Sequence, residues 1–269
     1  MSDFVNIFGT KIYLKEHYVS GSKIALLVIH GMCEHFGRYK TFTTQLKNNG
    51  ISVYGVDLRG HGHSDGRRGD IEDIDKVVED INFLINHIQN KRRFDAIGVF
   101  GHSMGGEIAV LYAGTYPKKL NFLILSNPVL YLPKRMKFLK IVPFKNNPHI
   151  SFKKTVSETP EMLERSLKDP LAANVFNLRT VNQVFFKGVK KVGEVIDKIC
   201  CPVLFLRGEK DTLLTNSQKE ENFFNGLKVK NKQFISYKES NHRIVQNENA
   251  IKHINDIILW IKTNFKKCF

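Results

Sequence analysis

Short apolar runs without polar alternation are the feature that most constrains how this chain can fold. They are rich in Val, Ile, Leu and Phe and occupy residues 23–31, 51–60, 95–103, 121–128, 202–211 and 232–242. Strands that are covered on both faces of a parallel sheet have this composition, because neither face meets water. The runs therefore predict a central sheet buried between two other layers.

Segments with helical periodicity lie between these runs. Residues 73–90 place apolar side chains at i, i+3 and i+4, and the segments after Ser103 and across 248–265 show the same stripe,. Strands that alternate with helices predict an α/β fold with a mostly parallel central sheet flanked by helices. Residues 5–19 instead predict an antiparallel hairpin that turns near Gly9.

Residues 129–193 interrupt this alternation of strands and helices. A chain of 269 residues is long enough to bury one large core,. We therefore expect a core made of residues 1–128 and 194–269, with a mainly helical cap, residues 129–193, inserted between its two parts. The cap carries prolines at Pro133, Pro143, Pro148, Pro160 and Pro170.

The net charge of +15 is concentrated in the predicted cap, which has 13 Lys and Arg residues against 4 Asp and Glu residues. Between residues 131 and 145 the basic residues interleave with large apolar ones, which favours transient contact with an anionic membrane. A cap helix that packs its apolar side on the core, with its lysines in solvent, is the alternative. No recognised nucleic-acid-binding motif accompanies the charge, so no nucleic-acid partner is expected.

The first residues lack the basic start and apolar core of a signal peptide, and no stretch is apolar and long enough to span a bilayer,. A cytoplasmic protein, peripheral at membranes at most, is therefore expected. Cys33, Cys200, Cys201 and Cys268 show neither disulfide-framework nor zinc-site spacing,. We expect reduced thiols.

A serine stands between two glycines where the third run meets a helical pattern, in the order Gly101-His102-Ser103-Met104-Gly105. A strand that turns sharply into a helix admits only small residues two positions before and after the turning residue. Such a turn raises the serine oxygen above the sheet and leaves N–H groups free at the helix start. Ser103 is the candidate nucleophile, although five residues taken alone also fit an ordinary glycine-rich connection.

A serine hydroxyl needs a base to take its proton, and the base needs an acid to orient it. In a fold of this type these partners follow in the order Ser, Asp, His, each at the end of a later strand. Asp211 and His242 meet both conditions. The competing residues that fit less well are Asp57, Asp65, Asp197, His102 and His253.

A tetrahedral intermediate also needs donors for its negative oxygen. The backbone N–H of Met104, directly after Ser103, is the first expected donor. The second is the N–H of Met32, in the loop that follows His30-Gly31. A simple strand-ending turn is the alternative for that loop.

Several motifs together resemble the monoacylglycerol lipase and lysophospholipase group of the α/β-hydrolases. They are HGMCEHFGRY (30–39), VDLRGHGHSDG (56–66), GHSMGG (101–106), DPL (169–171), RGEKD (207–211) and the later His242. Their order matches over almost the whole chain. The resemblance implies an α/β-hydrolase fold and hydrolysis of one acyl ester of an acylglycerol or lysolipid through an acyl-enzyme on Ser103, without metal or cofactor.

Glu34 and Arg38 match the polar positions of HGxxEHxxRY, the most group-specific of these motifs. The resemblance makes them candidates for substrate binding in a polar head pocket, and an ion pair that braces the loop is the alternative. Arg59 in DLRGHG is expected to tie loops together.

Two departures from the group bear on the substrate. Mammalian monoacylglycerol lipases carry small residues after the HG pair, where this chain has Met32 and Cys33, and a second histidine where this chain has Val245. Cys33 itself is interpreted as a small apolar filler. A general short- or medium-chain carboxylesterase or thioesterase, and a non-catalytic lipid-binding protein on the same scaffold, stay open as alternatives.

Overall fold

The computed structural model describes residues 3–133, 149–151, 164, 167–173, 175–214, 217–247 and 249–269. Most of the stretch on which the predicted membrane contact rests, residues 134–145, lies outside these described residues. Among the helices that are described, none combines the length and the apolar character needed to cross a bilayer.

The strands are β1 (Phe4–Ile7), β2 (Thr10–His17), β3 (Ile24–Ile29), β4 (Ile51–Asp57), β5 (Ala96–His102), β6 (Phe122–Ser126), β7 (His149–Ser151), β8 (Val175–Asn177), β9 (Val203–Gly208) and β10 (Lys232–Tyr237). Eight of them form one sheet in the order β1-β2-β4-β3-β5-β6-β9-β10. The strands from β4 to β10 in that order are parallel, and β1 and β2 extend the sheet antiparallel. Each predicted run contains one parallel strand, and the predicted hairpin turns at Gly9 with a φ of 86°.

The helices are α1 (Lys40–Asn48), α2 (Ile74–Lys91), α3 (Met104–Thr115), α4 (Leu178–Asn182), α5 (Val189–Val195), α6 (Ser217–Gly226) and α7 (Ala250–Asn264). A π-helical stretch, Gln183–Gly188, joins α4 to α5. Short 3-10 turns occupy Phe36–Tyr39, Ile196–Lys198 and Lys266–Cys268.

The central strand β3 shows why the apolar runs do not alternate with polar residues. Its side chains at 25, 27 and 29 belong to an apolar core shared with α2 and α3, whereas those at 24, 26 and 28 belong to a second core shared with α1 and α7. Successive side chains of a strand point to opposite faces of the sheet. Because both faces are covered, every residue of β3 is buried. The α/β architecture predicted from sequence is thereby confirmed.

Within the predicted cap the described residues include strands as well as helices. β7 and β8 pair antiparallel as a separate two-stranded sheet. The helical stretch 178–195 places apolar side chains, among them Val181, Val184 and Val192, in the core that contains α2 and α3. The end of the segment is therefore packed on the body of the molecule, while the boundaries of the cap stay a prediction.

Candidate active site

Ser103 sits at a strained turn between β5 and α3. Its φ of 54° and ψ of −119° lie outside the conformations that L-residues usually adopt,. A Cβ on Gly105 would lie 2.3 Å from the carbonyl oxygen of Ile29, and one on Gly101 would lie 2.3 Å from the carbonyl oxygen of Gly105. The two glycines are required because the backbone of the turn packs directly against β3 and against itself.

Backbone hydrogen bonds hold this turn against the neighbouring strand. The N–H of Ser103 donates to the carbonyl oxygen of Ser126, at 3.0 Å, and the N–H of Val129 donates to the carbonyl oxygen of Ser103, also at 3.0 Å. The serine is thus fixed by β6 as well as by its own strand and helix.

Asp211 and His242 meet above the sheet after β9 and β10. The Nδ1 atom of His242 lies 2.6 Å from Oδ2 of Asp211, and the other carboxylate oxygen accepts hydrogen bonds from the N–H groups of Leu213, at 2.7 Å, and Leu214, at 3.1 Å. Burial by itself would raise the pKa of Asp211, but His242 and these donors outweigh it and hold that pKa below its ordinary value,.

The ionised Asp211 fixes the protonation of the histidine. A carboxylate only accepts hydrogen bonds, so the proton of neutral His242 lies on Nδ1 and its Nε2 is free to accept one. That tautomer is the one that a general base for a serine hydroxyl requires.

Asn127 ties the loops of the candidate acid and base together. Its Nδ2 donates to the carbonyl oxygen of His242 at 2.8 Å, and its Oδ1 accepts the N–H of Gly208 at 2.9 Å. The residue is 1% exposed and has a φ of 42°. Sequence reasoning missed Asn127, although a polar residue directly after the apolar run of β6, at the same edge of the sheet as Ser103, was a usable signal.

The loop after β3 lies against the serine. A Cβ on Gly31 would lie 3.2 Å from the Cβ of Ser103. His30 orients this loop: its Nε2 accepts the N–H of Leu58 at 3.0 Å, so its Nδ1 carries the proton and donates to the carbonyl oxygen of Gly31 at 2.7 Å,. In a trans peptide the N–H points opposite to the C=O. The N–H of Met32 therefore points away from His30.

Met32 and Met104 keep their place as candidate oxyanion donors. Met104 is the first residue of α3, where N–H groups have no partner inside the helix,. No hydrogen bond from either N–H is found among the residues that the structure describes. Their role in binding an oxyanion stays a prediction.

Glu34 is buried beneath the loop rather than exposed in a pocket. It is 2% exposed, and its Oε2 accepts hydrogen bonds from the hydroxyl of Tyr39, at 2.9 Å, and the N–H of Gly31, at 3.3 Å. Its Oε1 lies 3.3 Å from Nη1 of Arg243. Burial by itself would raise the pKa of Glu34, but Arg243 above all lowers it well below the ordinary value.

The Glu34–Arg243 ion pair joins the loop after β3 to the loop of His242, the immediate neighbour of Arg243. Sequence reasoning did not single out Arg243. Nothing in the sequence indicates that it meets Glu34 rather than another acid.

Arg38 reaches the cap. Its Nε lies 3.1 Å from Oδ2 of Asp169, the acid of the DPL motif, and Nε2 of His35 lies 2.8 Å from the same oxygen. The sequence allowed two interpretations of Glu34 and Arg38, a polar head pocket or an ion pair that braces the loop after β3. Ion pairs do brace this loop, but Glu34 and Arg38 each pair with a residue outside it. A direct role for either residue in substrate binding stays a prediction.

Arg59 ties loops to the body as expected. Its Nε and Nη2 donate to the two carboxylate oxygens of Asp80 on α2, at 2.8 and 2.9 Å, and Nη1 lies 3.4 Å from Glu72.

Two of the three residues that depart from the mammalian lipases, Cys33 and Val245, are buried. Cys33 is 4% exposed, burial raises the pKa of its thiol, and it belongs to the core with α2 and α3, as a filler should. Val245 is 3% exposed and packs in the core with α1 and α7.

Both competing histidines have structural partners. His102 is buried, which lowers its pKa to about 3, and its Nδ1 lies 3.1 Å from the carbonyl oxygen of Ser126. His253 lies on α7, with its Nδ1 3.0 Å from the carbonyl oxygen of Ile244. Neither contacts the carboxylate of Asp211 as His242 does.

Comparisons with known proteins show which family the chain belongs to. The sequence profile of the family described as "Serine aminopeptidase, S33" matches residues 21–250. The monoglyceride lipase of Rattus norvegicus is 29% identical over 224 residues, which are 78% of this chain and 72% of that protein. The monoglyceride lipase homolog of monkeypox virus is 26% identical over 256 residues, 91% of each chain. The crystal structure of the Paleococcus ferrophilus monoacylglycerol lipase superposes with a TM-score of 0.81 at 26% identity, covering 94% of this chain and 99% of that one. The chain therefore belongs to the family described as serine aminopeptidase, S33, and, within the α/β-hydrolase superfamily, to the monoacylglycerol lipase group.

Proposed function

We propose that this chain is a serine hydrolase that cleaves the single acyl ester of a monoacylglycerol or lysophospholipid through an acyl-enzyme on Ser103. One observation carries the proposal: a serine strained at the end of β5 lies against the loop after β3, on the sheet edge where Asp211 and His242 form a buried pair 2.6 Å apart. In this fold type, acyl transfer by serine relies on an elbow that presents the serine and on a carboxylate-oriented imidazole, together with donors for the oxyanion.

The reaction proceeds in two acyl-transfer steps. The Oγ of Ser103 attacks the ester carbonyl while Nε2 of His242 accepts the hydroxyl proton, and Asp211 stabilises the imidazolium that results. The N–H groups of Met32 and Met104 donate to the oxyanion of the tetrahedral intermediate, each with an expected contribution of about 10²–10³ in rate.

Collapse of that intermediate breaks the bond between the acyl carbon and the alcohol oxygen. Nε2 of His242 returns the proton to the departing glycerol or lysolipid alcohol, which leaves the acyl group on Ser103. Water then gives a proton to the same nitrogen and attacks the acyl carbon. The second tetrahedral intermediate breaks the bond between the acyl carbon and Oγ of Ser103, Nε2 returns the proton to Oγ, and the fatty acid is released.

The substrate class is supported by the relatives from Rattus norvegicus, monkeypox virus and Paleococcus ferrophilus, which are named as a monoglyceride lipase, a monoglyceride lipase homolog and a monoacylglycerol lipase. The family description names an aminopeptidase, so amide substrates belong in the test. A short-chain esterase or thioesterase would use the same residues, because acyl-pocket depth rather than the triad separates it from a lipase.

The test compares wild type with Ser103→Ala and with Ser236→Ala, an exchange of the same kind at an exposed position of the edge strand β10, where the hydroxyl donates to Glu209. Initial rates are measured on monoacylglycerols and lysophospholipids of increasing chain length, on short synthetic esters and thioesters, and on an aminoacyl anilide. We expect monoacylglycerol hydrolysis by wild type and Ser236→Ala, and a loss of roughly 10⁴-fold or more in Ser103→Ala.

A fluorophosphonate probe followed by peptide mass spectrometry reports the nucleophile directly, with labelling expected on Ser103. Cleavage of short esters or thioesters alone would replace the lipase proposal by a general esterase, and cleavage of the anilide alone by a peptidase. Full activity in Ser103→Ala would refute the acyl-enzyme. Absence of both labelling and hydrolysis in wild type would leave the lipid-binding alternative.

A further inference from the structure

A second concave site lies between β2 and α1. It has a volume of about 390 Å³, which falls in the range of small-molecule sites. None of the residues that line it belongs to the Ser103, Asp211 and His242 set. A ligand in this cavity would therefore not compete with the ester for the proposed catalytic groups.

The cavity is lined by basic residues and by no described acidic residue. The basic residues are Lys15, His17, His35, Lys40, Lys47 and His63. They come from separate parts of the chain and converge through the fold.

Two regular elements present these charges to one another. β2 buries Ile12 and Leu14 on one face, so that Lys15 and His17, together with Tyr13, stand on the opposite one. On α1 the spacing of Lys40, Thr44 and Lys47 is i, i+4 and i+7, which places them on one stripe of the helix. The strand face and the helix stripe form opposite walls of the cavity.

Three of the six basic residues have an acidic partner among the residues that the structure describes. Lys15 lies 2.7 Å from Asp3, His35 2.8 Å from Asp169 and His63 3.1 Å from Asp57. For Lys40, Lys47 and His17 no ion pair is found in the part of the chain that the structure describes. The charges of Lys40 and Lys47 are therefore not neutralised by an acidic side chain of the described residues.

Two further observations indicate that the cavity is suited to a polar anion. Burial first, and then the charges of Lys47 and Lys15, lower the pKa of His17, so positive charge lies close enough to this imidazole to disfavour its charged form,. The hydroxyl of Thr43, a lining residue that is 4% exposed, has no hydrogen-bond partner among the described residues. A buried hydroxyl without a partner costs free energy that a bound acceptor nearby could offset.

We propose that this cavity binds the phosphate group of a phosphomonoester. A dianion suits it better than a single carboxylate, because the ammonium groups of Lys15, Lys40 and Lys47 converge there and each can donate a charge-assisted hydrogen bond,. The rings of Tyr13 and Phe36 also line the space and would contact the organic part of the ligand. The source of the phosphate is a soluble phosphomonoester or a phosphomonoester lipid headgroup.

The test uses the full chain and two matched double variants. Lys40→Gln/Lys47→Gln removes both charges of the helix stripe. Lys228→Gln/Lys230→Gln removes two exposed charges between α6 and β10, at the opposite edge of the sheet. Thr44→Glu adds a negative charge to the same stripe as a second cavity variant.

Soluble binding is measured by calorimetric titration with inorganic phosphate and with glycerol 3-phosphate at constant ionic strength. Lipid binding is measured by sedimentation with vesicles of phosphatidylcholine, with and without phosphatidic acid. We expect both cavity variants to lose roughly tenfold or more in affinity, as the loss of charge-assisted hydrogen bonds predicts, while the control variant binds as wild type does.

The outcomes distinguish a site for a soluble phosphomonoester from a site for a lipid headgroup, and both from failure of the proposal. A loss of soluble-ligand affinity confined to the cavity variants supports a solute site, and a loss confined to phosphatidic acid vesicles supports a headgroup site. The proposal is overturned if wild type binds neither probe, or if the cavity and control variants weaken equally, since equal weakening reflects net charge alone. Ester hydrolysis by the same variants is expected to be unchanged without ligand, so failure here is separate from failure of the proposed function.

Discussion

Replacement of Glu34 by glutamine separates a bracing role from a substrate-binding role. The exchange keeps the shape of the side chain and an oxygen that can accept the hydrogen bonds from Tyr39 and Gly31, but it removes the charge that faces Arg243. At the 3.3 Å separation of that pair, an effective dielectric constant of about 20 gives an attraction of about 5 kcal/mol,.

The net effect is smaller, because glutamine also avoids the cost of burying a carboxylate. Both side chains are nearly inaccessible, 3% and 7% exposed, so Arg243 would lose this opposite charge in a buried setting. We expect a loss of roughly 3 kcal/mol in the free energy of unfolding. At about 2–4 °C per kcal/mol for a chain of this size, Tm should fall by roughly 6–12 °C.

Activity should change in kcat rather than in KM. The ion pair holds the loop of Gly31 against the loop of His242, and misplacement of those groups slows the chemical step without removing a contact to substrate. We expect kcat to fall roughly tenfold to a hundredfold, with KM within about twofold of wild type.

The stability difference between wild type and Glu34→Gln should depend on pH in one direction. The pKa of Glu34 is depressed in the folded state, so its stabilising contribution is complete above the unfolded pKa of about 4.3 and declines as pH falls below it. The stability gap between wild type and Glu34→Gln should therefore stay constant from about pH 8 to 5 and narrow below about pH 4.

Denaturant unfolding at several pH values, with hydrolysis rates at pH 7, tests this prediction. Glu239→Gln is the control, because Glu239 forms an exposed ion pair with Lys210 and its exchange should leave the transition unchanged. An unchanged Tm combined with a raised KM in Glu34→Gln would refute the bracing role and show that Glu34 contacts the substrate.

Three further predictions follow from single residues. Asp211→Asn should lower kcat by about 10⁴ with little change in stability, because an amide facing His242 favours the wrong tautomer; ester hydrolysis and circular dichroism check this. Gly105→Ala should not yield folded protein, since its Cβ would lie 2.3 and 2.5 Å from backbone carbonyl oxygens. Gly193 lies on a helix, and a Cβ there would meet nothing within 4 Å. Gly193→Ala should therefore raise the free energy of unfolding by about 0.5–1 kcal/mol, as measured by denaturant unfolding. Glu107 is fully buried, no partner for its carboxylate is found among the described residues, and burial raises its pKa well above the ordinary value. The folded protein therefore retains a proton on Glu107, and its free energy of unfolding falls as pH rises above the unfolded pKa of about 4.3. Glu107→Gln should therefore become more stable relative to wild type between about pH 5 and 8.

The sheet was predictable because its signals are local. Strands buried on both faces produce continuous apolar runs, and the hairpin of β1 and β2 is signalled by Gly9. The turn at Ser103 was equally predictable, since a Cβ at position 101 or 105 would collide with backbone atoms and only glycine fits there. The sequence signal for each of these features lies in residues within a few positions of one another, although the carbonyl oxygens that exclude a Cβ at Gly105 belong to Ile29 and His30,.

The contacts that support the candidate site were not predictable in the same way. Glu34 and Arg243 are 209 positions apart, and Asn127 reaches the loop of His242 across more than a hundred. The sequence supplied several acids and several arginines, and no local pattern states which of them meet. The same holds for Arg38, which pairs with Asp169 in the cap rather than with Glu34.

By itself, then, the sequence determined the α/β class, the strained serine and the order in which an acid and a base follow it, because backbone sterics and burial act on neighbouring residues. Only the tertiary structure decided which charges are buried together, how the loop of Gly31 is held beside Ser103, and that the basic residues of β2 and α1 enclose one cavity. These three features depend on distances between residues that are far apart in the chain. Those distances are fixed only when the helices pack on both faces of the sheet.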